Sequence, residues 1–308
     1  VAALAAIPGR KVPIGKAARI DLMRKLNSAK HPMSKPTLKH FASIWTLMDY
    51  PNGSASGEWS MEKKVAAIKE AGFDGFQWAA LPELKDLAEK YDLAFLGGCQ
   101  ANAGNYSQIL RDFAPLNTVR INVQLGNHAT QPEEAVDLWI AMNKEAADLG
   151  LTLDLETHRD TCTETPEKTW EIAELYAQKT GKLIRLNFDF SHFAVVKHLY
   201  PPYADRLLYR PDLLRATSQI HLRPFNGHHC EIPITDSHGK ISGWAASWLE
   251  FVKDTLTCWR EGKTSSDTLW ACPELGAMTS GYWIPSFPDP WKDTIAAKQA
   301  ITQIWENI

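Results

Sequence analysis

Residues 151–190 read LTLDLETHRDTCTETPEKTWEIAELYAQKTGKLIRLNFDF, and their pattern decides the fold. A short apolar run, Leu151–Glu156, gives way to an amphipathic stretch, Pro166–Thr180, and then to a second apolar run, Ile184–Phe190. Apolar runs this short predict strands, and the longer stretch with its spaced apolar residues predicts a helix. Thr165 before Pro166-Glu167 is a start signal: a hydroxyl can cap the free amides of a first turn, and proline there gives up no needed N–H. Gly181 is the matching stop, the residue that most easily adopts a left-handed helix end. Strand, helix and strand in so short a span make a parallel crossover unit.

Outward from this unit the pattern repeats. Candidate strands lie at Leu38–Leu47, Gly75–Ala79, Leu93–Gly97 and Val119–Leu125 before it, and at Gln219–Leu222 and Leu269–Glu274 after it. Helical patterns lie between and beyond them at Met61–Ala71, Pro82–Tyr91, Tyr106–Phe113, Pro132–Leu149, Pro211–Thr217, Trp244–Glu261 and Asp289–Trp305. Alternating strands and helices predict the α/β class with a parallel sheet. Eight of each, with no G-x-G-x-x-G after the first strand, favour a closed (β/α)8 TIM barrel over an open dinucleotide-binding sheet. No linker divides the chain, so one barrel is expected over residues 36–308. Its longest connections, Arg223–Gly243 and Leu275–Pro288, are rich in Gly, Pro and aromatics and are expected on the catalytic face.

Composition narrows the function. The chain has 308 residues, 44% of them hydrophobic, with 33 Lys+Arg against 36 Asp+Glu. That balance gives no overall attraction to nucleic acid or to a membrane surface. No run approaches the roughly 18 consecutive apolar residues of a membrane span. Five cysteines, an odd number, widely spread and without a CxxC pair, argue against a disulfide scaffold or a structural zinc site. The charge is uneven, however: residues 1–35 hold eight basic side chains and one acid, Asp21, whereas the remainder holds 25 basic against 35 acidic. A basic N-terminal extension packing on an acidic body is the plain reading of residues 1–35, peripheral to function. A cytoplasmic location is expected, with a processed export remnant as the other reading of the opening Val1-Ala2-Ala3-Leu4-Ala5-Ala6.

The ends of the last four predicted strands carry an unusual set. They present Glu156, then Asp189 with His192 three residues on, then His221 with Arg223, then Glu274. In a closed barrel the strand ends open into one basin, so three carboxylates and an imidazole meet there. Like charges so close raise one another's pKa values unless a positive charge sits among them. A lone strand-end Asp is an ordinary helix cap, and a lone His an ordinary core residue. The four together point to a divalent cation. Oxygen-rich ligation with one imidazole suits Mn²⁺ first, Mg²⁺ or Co²⁺ next, and Zn²⁺ less well.

This pattern of Glu156, Asp189-x-x-His192, His221 and Glu274 at the ends of strands five to eight resembles the xylose-isomerase-like superfamily of sugar isomerases and epimerases. It is most similar to the ketose 3-epimerase branch. Glu70-Ala71-Gly72-Phe73-Asp74-Gly75 also resembles that superfamily's junction between first helix and second strand. The resemblance covers the chain from about Leu38 onward. It implies that Glu156, Asp189, His221 and Glu274 hold one metal ion, and that Glu156 and Glu274 double as the acid/base pair. It implies that His192 and Arg223 contact substrate hydroxyls. The chain departs from the pattern at Gln77, where the family usually carries Glu, and at His158 and Arg159 after the strand-five Glu. His158 is retained as a candidate substrate contact.

A metal bound by neighbouring oxygens of an open-chain ketose acidifies the C–H between them, and paired carboxylates then move the proton. Return to the opposite face is epimerisation; return to the next carbon is isomerisation. Both stay open, with a small-molecule sugar as the partner and a homo-oligomer possible. Trp45 and Trp78, near the ends of strands one and two, are candidates for an apolar wall beside the sugar, the plain alternative being core packing. His228 and His229 are either substrate or gating contacts or part of a solvated loop. Three other functions are weighed. The same metal would suit a lyase or hydrolase acting on an oxidised (keto) glycoside, to which the long aromatic loops would give room. An apurinic endonuclease would use Asp236-Ser237-His238 and His128, but the acidic body opposes phosphate-backbone binding. A non-catalytic sugar-binding barrel leaves the paired glutamates without a task.

Overall fold

The computed structural model describes residues 35–308; all but the last residue of the expected basic arm lies outside the described residues. The first half runs β1 (Thr37–Ser43), a 3₁₀ turn (Ile44–Leu47), α1 (Met61–Glu70), β2 (Gly75–Trp78), α2 (Glu83–Tyr91), β3 (Ala94–Ala101), α3 (Tyr106–Phe113), β4 (Ile121–Leu125) and α4 (Pro132–Asp148). The second half runs β5 (Leu153–Glu156), α5 (Pro166–Thr180), β6 (Leu186–Asp189), α6 (Phe190–Val196), α7 (Ala204–Leu207), α8 (Pro211–Ala216) and β7 (Gln219–His221). It closes with α9 (Ala246–Arg260), β8 (Thr268–Cys272) and α10 (Pro290–Glu306). Every strand pairs in parallel with the next, and β8 returns to β1 through Thr37 opposite Thr268 to His40 opposite Ala271. The fold is a closed (β/α)8 TIM barrel. Among the described residues no helix is long and apolar enough to cross a membrane.

Alternation along the strands explains how so short a sheet serves both a core and a site. Side chains on a strand point to opposite faces in turn. Leu153 and Leu155, Leu186 and Phe188, and Ile220 are fully buried in the cluster shared with the helices. Each such side chain contributes roughly 1.5–3 kcal/mol by leaving water. The residues between them, Asp154 and Glu156, Asn187 and Asp189, Gln219 and His221, occupy the barrel's inner face and are also buried. Phe41, Leu96, Trp270 and Cys272 form a separate small apolar cluster. At the start of β5, Asp154 is closed off by Arg120, whose Nε and Nη2 donate to its two oxygens at 2.5 and 2.6 Å.

Several boundaries differ from the sequence expectation. The run expected as one strand to Leu47 turns at Ile44 into the 3₁₀ element, which puts Trp45 on a turn; Ile44 and Leu47, three apart, bury together. Gly97-Gly98 looks like a strand end, yet β3 continues to Ala101. Gly97 is needed there because a Cβ would lie 2.7 Å from the Phe113 ring. The strand expected to reach Glu274 stops at Cys272, since Pro273 has no N–H to extend the ladder. Two short helices, α6 and α7, were not expected. The first begins without any turn residue, because Asp189 itself caps it by accepting the Ser191 amide at 3.0 Å.

Candidate metal centre

Four strand ends deliver the predicted cluster. Glu156 ends β5, Asp189 ends β6, His221 ends β7, and Glu274 follows β8 by two residues. One ligand atom from each lies within 4.8 Å of all the others, and all four residues are buried. His221 Nδ1 is 3.0 Å from Glu156 Oε1 and 3.2 Å from Glu274 Oε2, yet neither ring nitrogen makes a hydrogen bond. The nitrogen faces the gap between two carboxylates rather than either oxygen. A buried polar atom left so is costly, and a cation in that gap removes the cost.

The charges around the cluster are lopsided. Three carboxylates meet one permanent cation, Arg223, whose Nε donates to Asp189 Oδ2 at 3.1 Å and whose Nη2 donates to Glu274 Oε2 at 2.5 Å. Burial pushes the Glu274 carboxyl up, but the charges of His221 and Arg223 prevail and hold it at about 2. Burial likewise opposes ionisation of Glu156, and the neighbouring His221 outweighs it to keep that carboxyl below its usual range. Asp189 stays above its usual range because burial outweighs Arg223. For His221, burial would push the imidazole down, but Glu274 and Glu156 hold it up at about 10. A divalent cation neutralises the two negative charges that Arg223 leaves over and lets that imidazole act as a neutral ligand. The donor set, three carboxylates and one nitrogen, fits Mg²⁺ or Mn²⁺ chemistry.

Groups behind the cluster hold the ligands still. Asn122 Nδ2 donates to Glu156 Oε2 at 2.6 Å, and Asn187 Nδ2 donates to Asn122 Oδ1 at 2.8 Å. Ser191 donates to Asp189 Oδ1 from its amide and, at 2.5 Å, from its hydroxyl. Glu231, from the loop after β7, accepts from Arg223 Nη1 at 3.5 Å and from the Gly276 amide at 2.7 Å. Burial raises its carboxyl to about 7 in spite of Arg223. Sequence reading missed Asn122, Asn187 and Glu231. The first two were legible as polar residues alternating with apolar ones in β4 and β6; Glu231 sits in an irregular loop and carries no pattern.

A cavity of about 530 Å³ opens over the centre, lined by Trp45, Trp78, His158, Arg223, Glu274 and Tyr282. Gln77, Gln100, Asn122 and Gln124 line its other half with amides. Both tryptophans and His158 thus face the cavity that the sequence assigned to them. Arg223 also reaches it, but each guanidinium nitrogen is engaged by a carboxylate, so it braces the ligands as well as facing the cavity. His192 is 4% exposed, with its ring centroid 4.3 Å from that of His158 and Nε2 3.4 Å from Asp189 Oδ2. Burial, then the charges of His158 and Arg223, keep its pKa well below the usual value, so it is a neutral ring. The endonuclease residues are not gathered with the metal group: Asp236 is spent on the amides of His238 and Lys240 in an exposed turn. His128 is likewise exposed, 3.9 Å from Asp160.

No family model matches this chain, and no curated protein does. Among solved structures the fold is similar to that of D-allulose 3-epimerase from Methylomonas sp., at a TM-score of 0.55 and 16% identity, covering 88% of this chain and 100% of that one. It is similar to 3-keto-D-glucoside 4-epimerase from E. coli, at a TM-score of 0.56 and 15% identity, covering 87% and 100%. A xylose isomerase-like TIM-barrel protein from Mycobacterium smegmatis, solved with magnesium, aligns at a TM-score of 0.50 and 14% identity, covering 88% and 98%. At these identities the likeness shows a shared (β/α)8 barrel fold.

Proposed function

We propose that this protein is a divalent-metal-dependent sugar isomerase or epimerase that moves a proton next to the carbonyl of a ketose or related sugar. The observation that carries the reading is the buried group Glu156, Asp189, His221 and Glu274, with an imidazole nitrogen held between two carboxylates and bonded to neither. Those four residues would hold one ion, Mn²⁺ by preference, with Mg²⁺ or Co²⁺ as substitutes. When bound, such an ion draws electron density from a sugar carbonyl and so acidifies the adjacent C–H.

The chain's own residues supply the rest. Glu274 lines the cavity, and its Oε2 accepts from Arg223 and lies 3.2 Å from His221 Nδ1, while Oε1 has no hydrogen-bond partner among the described residues. Oε1 is therefore free to accept a proton from a sugar in the cavity. Glu156, held by Asn122 and within 4.8 Å of Glu274 in the same cluster, is the other member of the pair. Trp45 and Trp78 offer apolar faces to the sugar's C–H groups, and the amides of Gln77, Gln100 and Gln124 offer donors and acceptors to its hydroxyls. His158 also lines the cavity and is the candidate for a second base.

The deciding experiment loads the protein with Mn²⁺ and incubates it in D₂O with free ketoses, keto-glycosides and sugar phosphates, read by NMR. Deuterium entering at the carbon beside the carbonyl is the expected result. Release of a free sugar from a keto-glycoside instead would favour the lyase or hydrolase reading, to which the long β7 and β8 loops lend room. No exchange and no conversion with any of them would sink the proposal.

A further inference from the structure

A second cavity, about 670 Å³, lies beside the first and is not used by the reaction described above. The two share Arg159 and Tyr282 in their walls. Tyr282 stands between cations, with the Arg223 guanidinium 4.7 Å and the Arg159 guanidinium 4.9 Å from its ring centroid. Trp45 meets the same ring edge-on at 5.3 Å. The outer cavity reaches back to His192 and Glu231, close behind the metal ligands. His192 Nε2 is buried there and makes no hydrogen bond. Further out, the walls are Val196, Ile284 and Phe287 on the apolar side and His228 and His229 on the polar side.

We infer that the substrate is a two-unit glycoside, with the carbonyl-bearing sugar in the inner cavity and the linked unit in the outer one. The inference rests on the sugar reading proposed above. The inner cavity alone falls within the ~300–1,000 Å³ that holds a complete small ligand, so a single sugar leaves the outer cavity without a role. The outer walls combine apolar side chains, one of them the flat Phe287 ring, with imidazole donors and acceptors, which suits a second sugar with one C–H face and a hydroxyl rim. Arg159, lining both cavities, is placed to bridge the two units. A glycosidic bond blocks the anomeric carbon of the unit that forms it. For the ketone substrate proposed above, a two-unit compound is therefore either a ring-oxidised glycoside or a disaccharide ending in a free ketose.

Both sources are tested with the full, Mn²⁺-loaded chain. Lactulose is compared with fructose, and a ring-oxidised disaccharide with its ring-oxidised methyl glycoside, by deuterium exchange. In one pair or the other, the two-unit compound is expected to show at least a 10-fold higher kcat/KM; the responding pair identifies the source. Val196→Trp, which fills the outer cavity away from the metal ligands, should raise KM at least 10-fold for that two-unit compound and leave its one-unit partner unchanged. Ile284→Trp asks the same question from the β8 loop if the first variant does not fold. Equal kcat/KM within both pairs, or a loss on both members alike, would overturn the inference. If no compound reacts, the proton-transfer proposal fails on its own account. NMR saturation transfer then still decides the subsite: signal on the linked unit's protons that Val196→Trp abolishes supports it, and no signal there rejects it.

Discussion

Glu156 and Glu274 differ in what their second oxygens do, and that difference sets what each glutamine substitution would change. In Glu274, Oε2 must remain an oxygen to accept from Arg223, so Glu274→Gln places its new NH₂ toward the cavity. The variant should keep its metal and lose at least ~10²-fold in turnover, the low end of general acid–base contributions. In Glu156, Oε2 accepts from the amide of Asn122, whose own oxygen is taken by Asn187. Glu156→Gln therefore turns its NH₂ toward the ligand side and should weaken Mn²⁺ binding as well as turnover. Calorimetric titration with Mn²⁺ beside steady-state rates separates the two effects; equal metal affinity in both variants would contradict this asymmetry. His192→Ala should retain the metal and lose about 5- to 150-fold in kcat/KM, the value of roughly 1–3 kcal/mol for one hydrogen bond. Complete loss of metal would make His192 a structural prop of Asp189.

At the scale of elements, the site depends on two irregular loops held to the barrel at a few points. The β7 loop carries Glu231 into the core, where it ties Arg223 to the Gly276 amide of the β8 loop. The same β7 loop crosses the segment after α6 at Gly227, where a Cβ would fall 1.7 Å from the carbonyl oxygen of Leu199, three residues past the helix end. No side-chain rotation relieves a clash with backbone. Gly227→Ala should therefore displace the loop bearing His228 and His229, increasing its hydrogen exchange while the strands stay protected. Unchanged exchange across residues 224–232 would show that Leu199 yields instead.

The whole molecule couples to pH through a histidine far from the chemistry. His40, on β1, is 5% exposed, and its Nε2 lies 3.0 Å from the Thr302 hydroxyl of α10. Burial, and next the charge of Lys298, lower its pKa to about 4 from 6.5. The unfolded chain thus takes up this proton first as pH falls, so stability is full above pH ~6.5 and declines toward pH ~4. By pH 5 the loss is roughly 2 kcal/mol. Urea denaturation at pH 7 and pH 5 should show the drop in the wild type and a drop smaller by that amount in His40→Gln. Identical slopes in the two proteins would remove His40 from the account. The metal acts in the opposite sense: Mn²⁺ at about 100 times its Kd should stabilise the fold by ~2.7 kcal/mol, and a chelator should reverse it. A thermal shift that survives in Glu156→Gln combined with Asp189→Asn would place the ion elsewhere.

Local patterning in the chain was enough for the barrel and for the four residues of the candidate metal cluster. Several crossovers carry their own start and stop signals, as Thr165, Pro166 and Gly181 do around α5, and eight strand–helix units without a dinucleotide fingerprint pointed to the closed barrel. Because parallel strands all end at the same rim, Glu156, Asp189, His221 and Glu274 could be gathered from their strand-end positions alone. What local order could not supply was anything set by contacts between distant segments. Glu231 became part of the site only because the β7 loop folds back over β8. Arg223, read as a substrate contact, is drawn by three carboxylates from separate segments into bracing them. The outer cavity exists because α6 and the β7 and β8 loops stop short of one another beyond Tyr282. Propensity and alternation act over a few residues, whereas loop packing and the charge balance of a buried cluster are sums over the whole fold. Only the tertiary structure evaluates those sums.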